Sequence, residues 1–375
     1  MKYNPVIVVV GYNRVKSIER LLTSLNNAFY PEEVPLIISI DNSGTDEVEK
    51  YANDFVWKHG EKKVRTFEEK QGLKKHVISC FDYSMEYDAA IVLEDDIVVS
   101  PFFYDYVCEC LRFYDNDPRV MSIALYSPKW NGFANRSFEP VSTGYDVYAS
   151  KKNESWGECV IGSRWKIFKE WYQTNNGELE PSDEVPSVIY SWKNSWCKYF
   201  NHFIDTHDYW VITPYISLST NFNDAGTHMV LNSNSFQQPL LYGNKKWSLG
   251  NLDDLAQYDD FGDNIKLQKY LEDKLNKKVC VDFYGLKNSR EKYDLCISSA
   301  ILPYEVVESY GLEMKPYELN IYNNVHGEGI LLYDMKKKLK KAKDREQHYR
   351  IIKYDVCDMQ PIDALFYYLY EKFIK

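Results

Sequence analysis

Three adjacent acids, Glu94-Asp95-Asp96, follow the apolar run Ala89 to Leu93 and precede Ile97-Val98-Val99. Clustered carboxylates supply the hard oxygen ligands that Mg2+ or Mn2+ requires, and such a cation lets an acidic pocket hold a diphosphate. Two further polar groups also follow apolar runs: Gly11-Tyr12-Asn13-Arg14 after Val6 to Val10, and Asp41-Asn42-Ser43-Gly44 after Leu36 to Ile40. The first suits a base or ribose, the second a base edge, and the third the metal and diphosphate. An acidic triplet by itself is more commonly a solvated loop or a cap for a helix starting at Ser100-Pro101, and Asp41 alone is a turn-forming residue. The reading therefore rests on the three groups together.

They need elements that bring them to one edge. The β-branched residues 6–10 read as a strand, and Ile18, Leu21, Leu22 and Leu25 recur at helical spacing with Ser17 near the start of that helix. A strand at Leu36 to Ile40, a helix from about Asp46, a short strand near Val64 to Phe67, a helix from about Leu73 to Tyr87 and the strand ending at Glu94 follow. This repeated alternation predicts an α/β chain whose central sheet is mostly parallel and flanked by helices, Rossmann-like, with the carboxyl ends of its strands forming the binding edge. Beyond Ser100 a helix carrying Phe103, Val107, Cys110 and Leu111 leads to a strand at Val120 to Leu125. Ser127 to Ser155 reads as a long polar loop, and two tryptophan-rich helices are expected at about 160–172 and 187–204. After Ser235 the alternation fades, which divides the chain into residues 1–235 and a C-terminal α/β or α+β extension, 236–375.

The 375 residues are 45% hydrophobic and 27% charged, a globular composition, and the formal net charge of -10 excludes a general nucleic-acid binder. The apolar run after Met1-Lys2-Tyr3-Asn4-Pro5 is too short for a signal peptide, and no segment approaches the roughly 20 apolar residues of a membrane span. A cytoplasmic protein is expected, and eight cysteines without CxxC pairs fit reduced thiols. Lys336 to Lys343 is densely basic and Ala364 to Tyr370 strongly aromatic. The pair reads as a solvated lysine face followed by a docking helix, with a peripheral patch for the inner membrane surface as the alternative.

Val8 to Arg14, Ile38 to Gly44 and Ile91 to Phe103, taken in order, resemble the GT-A glycosyltransferases. The resemblance is to the N-acetylglucosaminyltransferase I type and to the family-2-like bacterial enzymes that build capsular and surface polysaccharides, and it spans about residues 5 to 230. It implies that Gly11, Tyr12, Asn13, Arg14 and Asp41 bind the donor nucleotide, that Glu94 and Asp95 face the sugar and ribose, and that Asp96 binds Mn2+ or Mg2+. Lys75 or its neighbour Lys74 would assist on the diphosphate, and His228 would be a second metal ligand. Where the N-acetylglucosaminyltransferase I type has a nucleotide-contacting histidine, this chain has Leu73. Trp156, Trp192 and Trp196 resemble that family's acceptor-side tryptophans, but no acid stands between Trp192 and Trp196 to act as base. Among the nearby acids Glu158, Asp183, Glu184 and Asp224, the two that compete for that role are Glu158 and Asp224.

The implied partners are a nucleotide-sugar, expected to be a UDP-sugar, and a glycan acceptor of lipid-linked type in bacterial surface polysaccharide synthesis. The implied chemistry is inverting transfer. Two alternatives remain: a non-catalytic glycan-binding or assembly subunit of the same fold, and a sugar nucleotidyltransferase, whose Gly-rich basic loop Gly11 to Arg14 does not match.

Overall fold

The computed structural model describes residues 3–222, 224, 236–340, 345–355, 362, 365, 366 and 369. The chain forms two compact units, Met1–Lys129 with Ser142–Gly262 and Trp130–Val141 with Asp263–Lys375.

The first unit grows from the apolar runs. All six residues of β1 (Val6–Gly11) and all five of β2 (Leu36–Ile40) are buried, and α1 (Val15–Asn26) buries Ile18, Leu21, Leu22 and Leu25 on one face. Then come α2 (Glu47–Asp54), β3 (Lys62–Thr66), α3 (Leu73–Phe81), β4 (Ala89–Glu94), β5 (Ile97–Val99), α4 (Phe103–Tyr114) and β6 (Val120–Ala124). A nine-stranded sheet runs in the order Gln257–Tyr258, Val147–Ser150, Trp210–Pro214, β6, Glu158–Ile161, β4, β1, β2, β3. The β4-β1-β2-β3 part is parallel, and its register sets Val10 beside Glu94 and Gly11 beside Ile40. Three polar strand ends therefore emerge at one level, as the strand-end rule requires. The edge strand β3 carries Lys62, Lys63 and Arg65, charges that discourage pairing with another chain.

After a turn at Asp95-Asp96, β5 leaves the main sheet and pairs antiparallel with Ser219–Asn221, which places Ile97 opposite Asn221. The acidic triplet is thus the hinge between two sheets.

Several expectations change. The helix begun at Leu73 ends at Phe81 and continues as a 3-10 turn, Asp82–Met85. The segment read as a loop supplies a central-sheet strand, Val147–Ser150, and a two-stranded pair, Trp130–Asn131 with Arg136–Ser137. The helix expected over 187–204 is a 3-10 turn, Ser187–Ser191, and a separate helix, Trp196–Thr206, begun by an extended Ser195. The boundary expected at 235 lies at Gly262–Asp263, because Gln257–Tyr258 pairs with Val147–Ser150 and Leu252, Leu255 and Tyr258 are buried.

The second unit is α+β. Its sheet runs Val279–Val281, Leu295–Ser298, Ile330–Lys338, Tyr304–Tyr310, the first pair parallel and the others antiparallel. Leu267, Leu271, Tyr317 and Ile321 pack with Val279, Ile297 and Leu332 in its core. The excursion 130–141 is held by Arg136, whose Nε donates to Asp355 Oδ2 at 2.8 Å and whose Nη1 donates to Ser299 Oγ at 2.9 Å. Lys336 and Lys337 of the basic run end a strand and pair with Asp294 and Glu305, exposed cross-strand pairs of small energetic weight. Lys341 to Lys343 and most of Ala364 to Tyr370 lie outside the described residues. Among the described residues no helix is long and apolar enough to cross a membrane, and the seven described cysteines are free.

Candidate active site

One crevice collects the polar strand ends. Gly11, Tyr12, Asn13 and Arg14 line it after β1, Asp41 after β2, Glu94, Asp95 and Asp96 after β4, and Lys70, Gly72, Leu73 and His76 from the entry to α3, with Asp224 opposite.

Arg14, at the start of α1, is its electrostatic centre. The guanidinium Nη2 pairs with Asp95 Oδ1 and lies 3.2 Å from Asp96 Oδ2, Nε lies 3.4 Å from Asp95 Oδ2, and Nη1 donates to the Asp224 carbonyl at 3.3 Å. The remaining Asp96 oxygen accepts from Asn221 Nδ2 at 3.1 Å, and the Asp96 carbonyl accepts from the Phe222 N–H at 2.9 Å. The Asp224 carboxylate accepts from Ser17 Oγ at 2.7 Å and pairs with Arg20. Asp41 accepts three backbone N–H bonds, from Asn42 at 2.8 Å, Gln71 at 2.7 Å and Gly72 at 2.8 Å. It thereby fixes the loop that leads into α3, where Gly72 adopts φ 77°, a conformation that favours glycine.

Burial, reinforced by Asp96 and Asp95, pushes the Glu94 carboxyl up to about 8, against the opposing pull of Arg14 and a hydrogen bond from Trp196. Burial raises Asp95 to about 6 although Arg14 opposes it. Burial would also raise Asp224, but Ser17 and Arg20 outweigh it and hold this carboxylate below its ordinary value. Burial lowers His76 to about 4, so its ring is neutral, and Nε2 sits 2.7 Å from Ser39 Oγ. Five carboxylates thus line the crevice against the cations Arg14 and Lys70.

Among the described residues no three His, Cys, Asp or Glu side chains come together as a metal-holding group. The acidic turn nevertheless fits a hard cation in donor chemistry: Asp96 lines the crevice with its side chain 17% exposed. One carboxylate together with substrate phosphates and water is a common way to hold Mg2+. His228 lies outside the described residues.

Of the residues singled out from the sequence, Gly11, Tyr12, Asn13, Arg14, Asp41, Glu94, Asp95, Asp96 and Asp224 share this crevice. Lys75 does not; it is exposed on the first turn of α3, and Lys74 lies over the Tyr199 ring at 4.8 Å. The lysine in the crevice is Lys70, which donates to Tyr12 Oη at 2.9 Å.

Glu158 is also absent from the lining. Its strand lies between β4 and β6, and the register sets Glu158 beside Val92 and Ala124, two residues short of the crevice level at Glu94. It is 1% exposed, accepts from Ser122 Oγ and Asn153 Nδ2, and burial pushes it up to about 8.

The tryptophans are redistributed as well. Trp192 falls between the 3-10 turn and the next helix, so it and Trp196 are not one helical turn apart. Trp196 is a core residue, 5.0 Å from the Phe81 ring, and close enough to Glu94 to lower its carboxyl slightly against burial. Trp156 is half-buried against Phe236 at 4.6 Å, and the following Gly157 adopts φ 108° with Leu125 and Leu93 so close that a Cβ would crowd them. Sequence reasoning missed Lys70 and His76. The available signals were a basic turn before a helix start and a histidine one helical turn beyond Leu73.

The sequence matches the model of Glycosyl transferase family 2 over residues 6–212. No curated protein matches it. Among solved structures, the mannosyltransferase PcManGT from Pyrobaculum calidifontis in complex with GDP-Man and Mn2+ is 14% identical over 56% of this chain and 55% of its own, with a TM-score of 0.37. TarS of S. aureus in complex with UDP-GlcNAc is 17% identical over 60% of each chain, with a TM-score of 0.38. The alignments span little more than half the length of either relative, and a likeness at this level says nothing about substrate.

Proposed function

The chain belongs to glycosyl transferase family 2, and from that premise we propose that this GT-A glycosyltransferase moves a sugar from a nucleotide-sugar, in our reading a UDP-sugar, to a glycan hydroxyl with Mn2+ or Mg2+. The observation that carries the metal is charge: with Glu94 protonated, the carboxylates of Asp41, Asp95, Asp96 and Asp224 still face the crevice against Arg14 and Lys70, with Arg20 paired to Asp224. A further cation would favour entry of a diphosphate into this net-negative crevice.

Arg14 and Lys70 donate to the diphosphate, Tyr12 flanks the nucleoside, and Asp41 acts by holding the loop that shapes the pocket. Glu94, protonated at neutral pH, donates a hydrogen bond to a donor-sugar hydroxyl. A cation held at Asp96 supplies Lewis-acid stabilisation of the leaving diphosphate. Positive charge develops on the sugar ring in the transition state, and the surrounding carboxylates favour it. Asp224, kept ionised by Ser17 and Arg20, takes the proton of the acceptor hydroxyl from the opposite face, which gives inversion.

The donor crevice falls within the first unit, the part assigned to transfer, and the second unit is assigned an accessory role. We read the acceptor as a lipid-linked bacterial surface glycan met at the inner membrane face from the cytoplasm. Exposed Ile362, Leu365, Phe366 and Leu369, spaced as one face of a helix, together with the lysine-rich end of Ile330–Lys338, support such contact.

Isothermal titration with a panel of nucleotide-sugars and nucleoside diphosphates, with and without Mn2+, tests the reading on wild type and Asp96→Ala. Metal-dependent binding of one nucleotide, lost in Asp96→Ala, is expected. Binding of none under any condition would remove the donor site and leave a non-catalytic glycan-binding subunit.

A further inference from the structure

The guanidinium of Arg14 occupies the position where the acidic turn is most negative. It spans Asp95 and Asp96 and reaches the Asp224 carbonyl, so the side of Asp96 that faces Arg14 is already neutralised by a cation belonging to the protein. Asn221, on the other Asp96 oxygen, is neutral and can remain beside a metal-bound carboxylate. Arg14 cannot, because like charges sharing one carboxylate repel strongly in a half-buried site.

The contacts of Arg14 are unequal in a way that permits a partial release. Its Nε and Nη2 form a fork on Asp95, whereas its hold on Asp96 is a single 3.2 Å contact and Nη1 has a 3.3 Å contact with a carbonyl. A diphosphate offers paired oxygen acceptors that the planar guanidinium binds well. Moving from Asp96 to the phosphate therefore keeps the Asp95 anchor.

We propose that Arg14 is a built-in counter-cation that competes with divalent metal for Asp96 and yields it when a nucleoside diphosphate arrives, so that metal and nucleotide bind cooperatively. This rests on the assignment of the metal to Asp96. The coupling is reciprocal: the factor by which nucleotide tightens metal equals the factor by which metal tightens nucleotide.

The test is Mn2+ binding to the full chain, read from loss of the free Mn2+ electron paramagnetic resonance signal, with UDP and GDP in parallel and protein-free controls. Wild type should bind Mn2+ weakly alone and at least tenfold more tightly with the nucleotide that binds. Arg14→Gln should bind Mn2+ alone at least tenfold more tightly than wild type and gain less than threefold from nucleotide. Lys70→Gln, which removes the same charge without touching Asp96, should change the affinity for Mn2+ alone less than threefold.

If wild type binds Mn2+ equally well with and without nucleotide, or if Lys70→Gln matches Arg14→Gln, the competition does not exist. If Arg14→Gln fails to fold, an absence of coupling in wild type still overturns the competition. If no variant shows Mn2+ binding that Asp96→Ala removes, the metal assignment itself fails. Asp96-dependent binding indifferent to Arg14 overturns the competition alone.

Discussion

Two buried carboxylates in the first unit, Glu94 and Glu158, lie on neighbouring strands and are both raised to about 8 by burial. Glu94 ends a parallel strand, lines a crevice and has Arg14 and two further acids beside it. Glu158 is sealed between β4 and β6 with Ser122 and Asn153 as partners. Glu154 acts on it and pairs with Lys152 at 3.3 Å, and those two in turn act on Asp260, which burial also drives well above its ordinary value. The lesson is that desolvation raises a carboxyl whatever its role, and access to a ligand separates a site from a core network.

The contrast breaks most visibly at the acidic turn. Asp96→Ala should lower transfer by on the order of 10³-fold, measured with labelled donor in steady state, because it removes the proposed support of the leaving diphosphate. Asp224→Asn should cost about 10²-fold in kcat with KM little changed, the signature of a lost base. An unchanged kcat would return the base to an unassigned residue.

Glu94→Gln mimics the protonated carboxyl and should cost no more than about tenfold. In wild type kcat/KM should fall as pH rises through about 8, where Glu94 loses its proton, and in Glu94→Gln that alkaline limb should flatten. A limb that persists in the variant belongs to another group.

Glu158→Gln sharpens the comparison from the other side, leaving turnover within about threefold because the residue does not line the crevice. Its effect is on stability. The folded carboxyl holds its proton to about 8 and the ordinary value is 4.5, so between those values the native state binds more protons and stability falls as pH rises. The variant cannot ionise, and denaturant melts should show it more stable by on the order of 1–3 kcal/mol at pH 8, converging with wild type near pH 5. A large loss of activity instead would put Glu158 back in the reaction.

Much of the crevice was legible because its signals are local. The fully apolar runs of β1, β2 and β4 announce buried strands, and the polar residues that end each run belong to the edge those strands share. The inward place of Glu158 was not legible, because nothing in Trp156-Gly157-Glu158 tells that an antiparallel strand will insert between β4 and β6. Lys75 was preferred to Lys70 because both flank the same helix start, and only the Asp41 clamp on Gln71 and Gly72 decides which one enters the crevice.

By itself the sequence determined the α/β alternation, the strand-end placement of Arg14, Asp41 and the acidic triplet, and the family to which these belong, since continuous apolar runs and their flanking polar residues are encoded within a few positions. Tertiary structure alone decided that Asp96 is held from the far side by Asn221 and that Asp224 reaches Ser17 and Arg20. Those outcomes depend on pairings between segments more than a hundred residues apart, β5 with Ser219–Asn221 above all, and no local pattern specifies such a register.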